Sequence, residues 1–485
     1  MSKFQTVDFY KSVNKDYKLL PFRFTELENN SYILTNIAGE YHVVERETLE
    51  KLIRHQLSSS NKDYLDLRSK QFLTDQNTSV AHELLAIKLR TRYSVLPEFT
   101  GLHMFVVTLR CEHSCPYCQV SRQSDDKLAY DMSVETASNS VDLALRSPSR
   151  AIKIEFQGGE PLLNFDIVKY IVIEANERKQ DKEVSFVIAT NLALLTDEVL
   201  EFCKENNVQI STSLDGPQEL HNKNRPKPEG NSYQAAVSGI KRVKAVLGKD
   251  NVSALMTTTF DSLSKPEEII DEYLKQGLGG IFLRPLSPYG WALKTKTYTK
   301  YNVNMWHEFY VKGLEYVIEL NRQGIKFKEY YTSTILTKVF THNSPGYVDL
   351  MSPAGIGIAA VIYNYDGTVY PSDEARMLAE MGDKYFDIGN VNKNTYEEIW
   401  LNPKLLDAIE DSFAYSVPMC NECAFEDYCG AEPVFHWGMQ KDIVGRKPES
   451  EWCQRNMKIF KYIFKRMEGD PFVKKLFREW GQVDA

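Results

Sequence analysis

Between residues 103 and 283 the sequence repeats one pattern: an apolar, β-rich run followed by a stretch long enough for a helix. The runs fall at 103–108, 152–156, 184–189, 208–213, 252–259 and 281–283. Strands that alternate with helices lie parallel, because each crossover returns the chain to the same end of the sheet. Six such units, fewer than a closed barrel needs, predict an α/β fold with a partial (β/α)6 barrel. Chemistry in barrels of this kind sits at the carboxyl ends of the strands. One helix has clear ends: Ser264 to Glu267 predicts a capping box with Pro266 in the first turn, and Gly277 stops it.

The first run leads straight into Cys111, Cys115 and Cys118, spaced C-x3-C-x2-C. Three thiolates on one loop are soft ligands suited to an iron–sulfur cluster or to zinc. A cubane held by three cysteines keeps one iron without a protein ligand. A closed zinc site would instead recruit His113 as fourth ligand. The other cysteines divide between Cys203, read as a small buried hydrophobe on a helix, and Cys420, Cys423, Cys429 and Cys453 near the end. Four thiolates with no open position accept either zinc or a fully ligated cluster.

With 485 residues the chain exceeds one ordinary core. The pattern divides it into a small α+β module over 1–97, the barrel over 98–290, a helical connection over 291–345 and a cysteine-bearing domain over 346–485. In the first, two short strands flank a turn at Gly39, and a helix follows over 47–56. Aromatics in the connection, Trp306, Phe309 and Tyr310 among them, read as packing between domains. A net charge of −8 leaves no basic footprint for nucleic acid. No apolar run approaches the ~20 residues that cross a bilayer. The opening residues 1–8 lack the apolar core of a signal peptide. The expectation is no membrane association and a cytoplasmic protein, where thiols stay reduced.

The cysteine triplet, with Tyr117 before its third member and Gly158-Gly159-Glu160-Pro161 after the second strand, resembles the radical S-adenosylmethionine (SAM) enzymes. That resemblance implies a [4Fe–4S] cluster on Cys111, Cys115 and Cys118 whose open iron binds SAM. Reductive cleavage of SAM would then give a 5′-deoxyadenosyl radical that abstracts hydrogen from substrate. It further implies SAM contacts from Tyr117, Gly158, Gly159, Glu160, Asn191, Ser213, Arg225 and Leu283. For the loop residues ordinary loop polarity is the competing reading, and for Leu283 a plain core position.

The later cysteines resemble SPASM domains of peptide-modifying relatives, which implies a SPASM-like domain with an auxiliary [4Fe–4S] cluster. Three positions depart from that pattern: serines stand at 352 and 372 and proline at 433, where cysteines would hold a further auxiliary cluster. The resemblance therefore implies one auxiliary cluster, on Cys420, Cys423, Cys429 and Cys453. Asp373, after Ser372, matches a catalytic base proposed in a sulfatase-maturing relative; a solvated loop acid is the alternative. The amino-terminal module resembles leader-peptide recognition domains, with a lid that buttresses the barrel as the equal alternative.

Segments along the whole chain, including Cys118-Gln-Val-Ser-Arg-Gln123 and Phe282-Leu-Arg-Pro-Leu-Ser-Pro-Tyr-Gly290, are similar to the His-Xaa-Ser system radical SAM maturases. This likeness implies a precursor peptide with His-Xaa-Ser repeats as substrate, a second radical SAM maturase as partner and a reductant such as flavodoxin or ferredoxin. Other readings are oxidation of a cysteine or serine in a folded protein, or a cluster-bearing scaffold for the second maturase.

Overall fold

The computed structural model describes residues 16–75, 79–228, 230–341 and 346–482. The opening segment 1–8 lies outside them. The amino-terminal module is a three-stranded antiparallel sheet, β1 (Phe22–Glu28), β2 (Ser31–Asn36) and β3 (Tyr41–Glu45), followed by helix α1 (Arg46–Ile53). β2 and β3 lie where the residue pattern predicts two strands, and β1 adds an outer one. Leu34, Val44, Leu49, Leu52, Leu67 and Phe72 form its own core. Helix α2 (Val80–Tyr93) leads to the barrel.

Five parallel strands follow: β4 (Leu102–Thr108), β5 (Ala151–Gly158), β6 (Glu183–Thr190), β7 (Val208–Ser213) and β8 (Val252–Leu255). Each pairs with the next in chain order. The outward helices include α3 (Val134–Leu145), α4 (Phe165–Arg178), α5 (Asp197–Glu205), α6 (Ser232–Leu247) and α7 (Pro266–Lys275). They bury apolar stripes against the strands; Cys203 is 1% exposed in this core, as a small hydrophobe would be.

Two expectations are corrected. β8 ends at Leu255, not at 259, because the amide of Thr257 turns to the Asp215 carboxylate (3.2 Å) and that of Thr258 to the Arg284 carbonyl (3.0 Å). The box over 264–267 does not form: Pro266 at the first helical position makes Lys265 the N-cap, without a side-chain cap. Gly277, at φ +66°, ends the helix as expected.

The sixth strand is short. β9 (Gly280–Ile281) leaves the main sheet and pairs in parallel with β10 (Lys328–Glu329). Between them runs α8 (Val303–Arg322), whose Trp306, Phe309 and Tyr310 are buried. After α9 (Tyr330–Phe340), β11 (Ala360–Tyr363) joins the barrel sheet parallel to β4. A hairpin to β12 (Thr368–Tyr370) continues that edge. The carboxyl-terminal domain is thus welded onto the barrel by backbone hydrogen bonds. The helices that follow include α10 (Asp373–Glu380), α11 (Pro433–Gln440), α12 (Glu451–Gly469) and α13 (Pro471–Trp480). Among the described residues no helix is long and apolar enough to cross a membrane.

Candidate functional site

The ends of four consecutive strands, Gly158, Thr190, Ser213 and Leu255, line one cavity of about 230 Å³. Cys111, Cys115 and Cys118 line it from the loop after β4. That loop is anchored at its root. Arg110, 2% exposed, grips Asp131 with Nε and Nη2 (both 2.8 Å) and Asp125 with Nη1 (2.9 Å). At its far end the Trp291 amide donates to the Cys118 carbonyl (2.8 Å). This approach needs Gly290, since a Cβ there would lie 2.6 Å from that same carbonyl oxygen.

Asn191, Ser213, Arg225, Gly158 and Gly159 all face the cavity. The glycine pair bonds the end of β5 to the cysteine loop: the Gly159 amide donates to the Thr108 carbonyl and the Glu160 amide to the Arg110 carbonyl, both at 2.8 Å. Glu160 is placed differently. It is fully buried, outside the cavity lining, and its carboxylate accepts from Thr190 Oγ1 (2.7 Å), the Asn191 amide (2.9 Å) and the Leu162 amide (3.0 Å). Burial, then Glu112, pushes its carboxyl up to about 7. Leu283 is also fully buried, packed into the core near Gly313; its neighbour Arg284 lines the cavity instead.

Tyr117 and Arg225 meet on Asp215, which is fully buried. Tyr117 donates its hydroxyl to Asp215 Oδ2 (2.7 Å), and Arg225 grips both oxygens with Nε (3.0 Å) and Nη2 (3.1 Å). The Arg225 guanidinium also lies 5.4 Å from the Tyr117 ring centroid. Burial opposes ionisation of Asp215, but Arg225 and His221 outweigh it and lower its pKa. The arginine is thereby fixed, and among the described residues its Nη1 has no hydrogen-bond partner.

The triplet fits a cluster better than zinc. Burial raises the Cys111 thiol and pushes Cys115 up to about 12, so both ionise only against a bound cation. Zinc with sulfur at about 2.3 Å would draw its ligands within about 4 Å of one another. Among the described residues no three of these sulfurs lie within 4.8 Å. His113, the fourth zinc ligand considered, does offer a donor within 4.8 Å of Cys111 and Glu112, but that set holds only one of the three sulfurs, and its Nδ1 is 2.9 Å from Glu112 Oε1.

Cys420, Cys423, Cys429 and Cys453 line a second cavity of about 460 Å³, walled by Phe425, Trp452, Met457 and Phe460. Burial pushes Cys420 and Cys423 up to about 11. Here too no three described sulfurs are within 4.8 Å, a spread that suits a cubane and not a single ion. The positions lacking cysteine are structural. Ser352 Oγ accepts from the Ala414 amide (2.9 Å), Ser372 caps α10 through the Ala375 amide (3.2 Å) and Pro433 opens α11.

Asp373 lines the first cavity and pairs with Arg376 at Nε (3.1 Å) and Nη2 (3.0 Å). Arg376 is fully buried and reaches the Val120 carbonyl (3.3 Å), tying α10 to the cysteine loop. Asp215 and Arg284 carry roles the sequence reading left unassigned. For Arg284 a signal existed, its place just beyond the last barrel strand.

Comparison with known proteins agrees with this architecture. The radical SAM superfamily is matched over residues 105–273 and the iron–sulfur cluster-binding SPASM domain over 358–424. The chain carries both domains, and with them [4Fe–4S] clusters and SAM as cofactors. A cysteine-type anaerobic sulfatase-maturating enzyme of Clostridium perfringens (strain 13 / Type A) is 23% identical over 74% of this chain and 94% of that protein. An uncharacterized protein of Methanocaldococcus jannaschii is 30% identical over 38% of this chain; the match spans only 61% of its length. The structure of anSMEcpe with bound AdoMet superposes with a TM-score of 0.62 at 17% identity, covering 79% of this chain and all (100%) of that one. Streptococcus suis SuiB bound to precursor peptide SuiA gives 0.54 at 15%, covering 89% and 98%. These structural likenesses establish the fold.

Proposed function

We propose that this chain is a radical SAM enzyme that modifies a ribosomally synthesised peptide of the His-Xaa-Ser repeat type by hydrogen abstraction, forming a side-chain crosslink. The observation that carries the reading is the convergence of three cysteines, Arg225 and Asp373 on one cavity at the strand ends. Bound there, cluster and SAM would supply a 5′-deoxyadenosyl radical that takes a hydrogen atom from the substrate. The chain's own residues prepare the site. Arg225, held by Asp215 and Tyr117, presents its remaining nitrogen to a carboxylate. Gly158 and Gly159 let the backbone approach a ligand. Asp373 is positioned by Arg376 to accept a proton. A second radical SAM maturase and a flavodoxin- or ferredoxin-type reductant are the partners that accompany this reading.

A second reading is oxidation of a cysteine or serine in a folded protein. The alignment with a sulfatase-maturating enzyme across 94% of its length favours it. Reduced, reconstituted enzyme is given SAM and either a His-Xaa-Ser repeat peptide or a cysteine-containing sulfatase peptide, and products are read by tandem mass spectrometry. Loss of two hydrogens from the repeat peptide is expected. An unchanged repeat peptide beside an oxidised sulfatase peptide would replace the first reading with the second.

A further inference from the structure

In the second cavity one side chain does not match its surroundings. Asn456 lies on α12 and is 1% exposed; the other buried residues of that helix are Trp452, Ile459, Phe460, Ile463, Phe464 and Met467. Asparagine is a poor helix former, and burying its amide is costly unless both ends find partners. Leucine would suit this apolar face better. Asn456 stands one turn after Cys453, and both line the cavity.

Both ends of the amide are engaged. Nδ2 donates to Cys429 Sγ at 3.6 Å, the longer reach that a large sulfur acceptor allows, and Oδ1 accepts from the Tyr331 hydroxyl (2.9 Å). The orientation follows from the chemistry. A thiolate that holds iron only accepts hydrogen bonds, so the nitrogen must face it and the oxygen is left to Tyr331. Tyr331 is itself held. Its ring, in a residue 6% exposed, stacks on Phe282 with centroids 5.5 Å apart and planes inclined by 6°. Phe282 follows β9 directly, so the last barrel strand sets the hydroxyl that orients the amide.

Hydrogen bonds to the sulfurs are among the factors that set a cluster's reduction potential. A reduced cubane carries one more negative charge than the oxidised one. An N–H aimed at a ligand sulfur therefore stabilises the reduced state more, and the potential rises. The Phe425 amide donates to Cys423 Sγ (3.4 Å) in the same sense, but the backbone supplies that bond whatever the side chain. Asn456 is its side-chain counterpart.

We propose that Asn456 raises the reduction potential of the second cluster, with Tyr331 as the positioning residue that aims its amide. The inference rests on Cys420, Cys423, Cys429 and Cys453 holding a [4Fe–4S] cluster.

The full chain is reconstituted under nitrogen and poised at graded potentials with dithionite and mediators, and the reduced clusters are read by electron paramagnetic resonance. SAM, which binds the open iron of the first cluster, alters that signal alone and tells the two apart. Asn456→Leu should lower the second midpoint. At the parent's midpoint its reduced-to-oxidised ratio should fall about tenfold, or about 59 mV for one electron. Tyr331→Phe should lower it less, and the double variant no further than Asn456→Leu, because Tyr331 acts through the amide. The first cluster should keep its midpoint in all three.

Variants are compared when loaded with about eight irons per chain, two cubanes. Asn456→Ala replaces Asn456→Leu if leucine prevents loading; should neither load, Tyr331→Phe decides alone, and an unshifted midpoint overturns the proposal. So does a loaded Asn456 variant whose ratio moves less than about twofold, or an equal fall at the first cluster. Additive falls in the double variant would remove the part given to Tyr331. A parent with only about four irons would defeat the assignment of the four cysteines and the inference with it, whereas about eight irons and an unshifted potential defeat the inference alone.

Discussion

Asp215 takes hydrogen bonds from Tyr117, Arg225 and the Thr257 amide in a fully buried setting. Removing its charge leaves the Arg225 guanidinium uncompensated, a loss of about 3–5 kcal/mol for a buried pair. Asp215→Asn is therefore expected to unfold at lower urea and to weaken SAM binding at least about tenfold, the effect of misplacing one charged anchor. Tyr117→Phe, which removes one hydrogen bond worth about 1 kcal/mol, should do much less. Equilibrium dialysis with labelled SAM and urea titration read both.

His103 makes a pH-dependent contribution. It is fully buried, its ring nitrogens 3.1 Å from the Tyr363 hydroxyl and 3.0 Å from the Thr100 carbonyl. Burial lowers its pKa from 6.5 to about 4. Between those values the unfolded chain binds the extra proton, so stability is whole above about pH 6.5 and falls as pH drops toward 4. His103→Gln should flatten that slope by up to about one proton. Urea unfolding of both proteins between pH 7 and 5 measures it; parallel slopes would refute it.

At the scale of elements, the join between β4 and β5 decides whether the first cysteine loop can form. A Cβ on Gly159 would lie 2.0 Å from the Arg110 carbonyl oxygen, and one on Gly158 2.0 Å from that of Thr108. Neither backbone oxygen can move without parting the strands. Gly159→Ala is expected to lose the first cluster, lowering iron by about four per chain. Gly101→Ala, where a Cβ meets nothing within 4 Å, should stay within about 0.5 kcal/mol of the parent. Iron analysis after anaerobic reconstitution separates them. The strand periodicity made β4 to β7 readable within a residue or two. The end of β8 was not, because Asp215 and Arg284 capture its last amides from distant parts of the chain.

At the scale of the molecule, the amino-terminal module braces the second cysteine loop. Thr35 donates to the Ala424 carbonyl (2.6 Å), Tyr428 to the Gly39 carbonyl (2.9 Å) and Arg23 to Glu426 (3.3 Å). Arg92 pairs with Asp427 at 2.8 Å, where the acid side chain is 2% exposed. Arg92→Ala deprives that buried carboxylate of its nearest cation but leaves Arg23 at 3.9 Å, so the loss should stay below about 3–5 kcal/mol, the figure for a buried charge with no partner. It should shift iron from about eight toward about four per chain while the first cluster persists. Unchanged iron and melting temperature would show that the brace is dispensable.

The strand-helix alternation and both cysteine sets are legible in residue order alone, because hydrophobic period and ligand spacing are local and span a few residues. The same order also carries the glycine pair after β5 and the substitutions at 352, 372 and 433. It takes the folded chain to turn Glu160 and Leu283 away from the cavity, to join Tyr117 to Arg225 through Asp215, and to bring Asp349, Glu374 and Glu432 to one space. Those groups are drawn from separate parts of the chain, and a buried charge takes its meaning from neighbours that folding alone supplies.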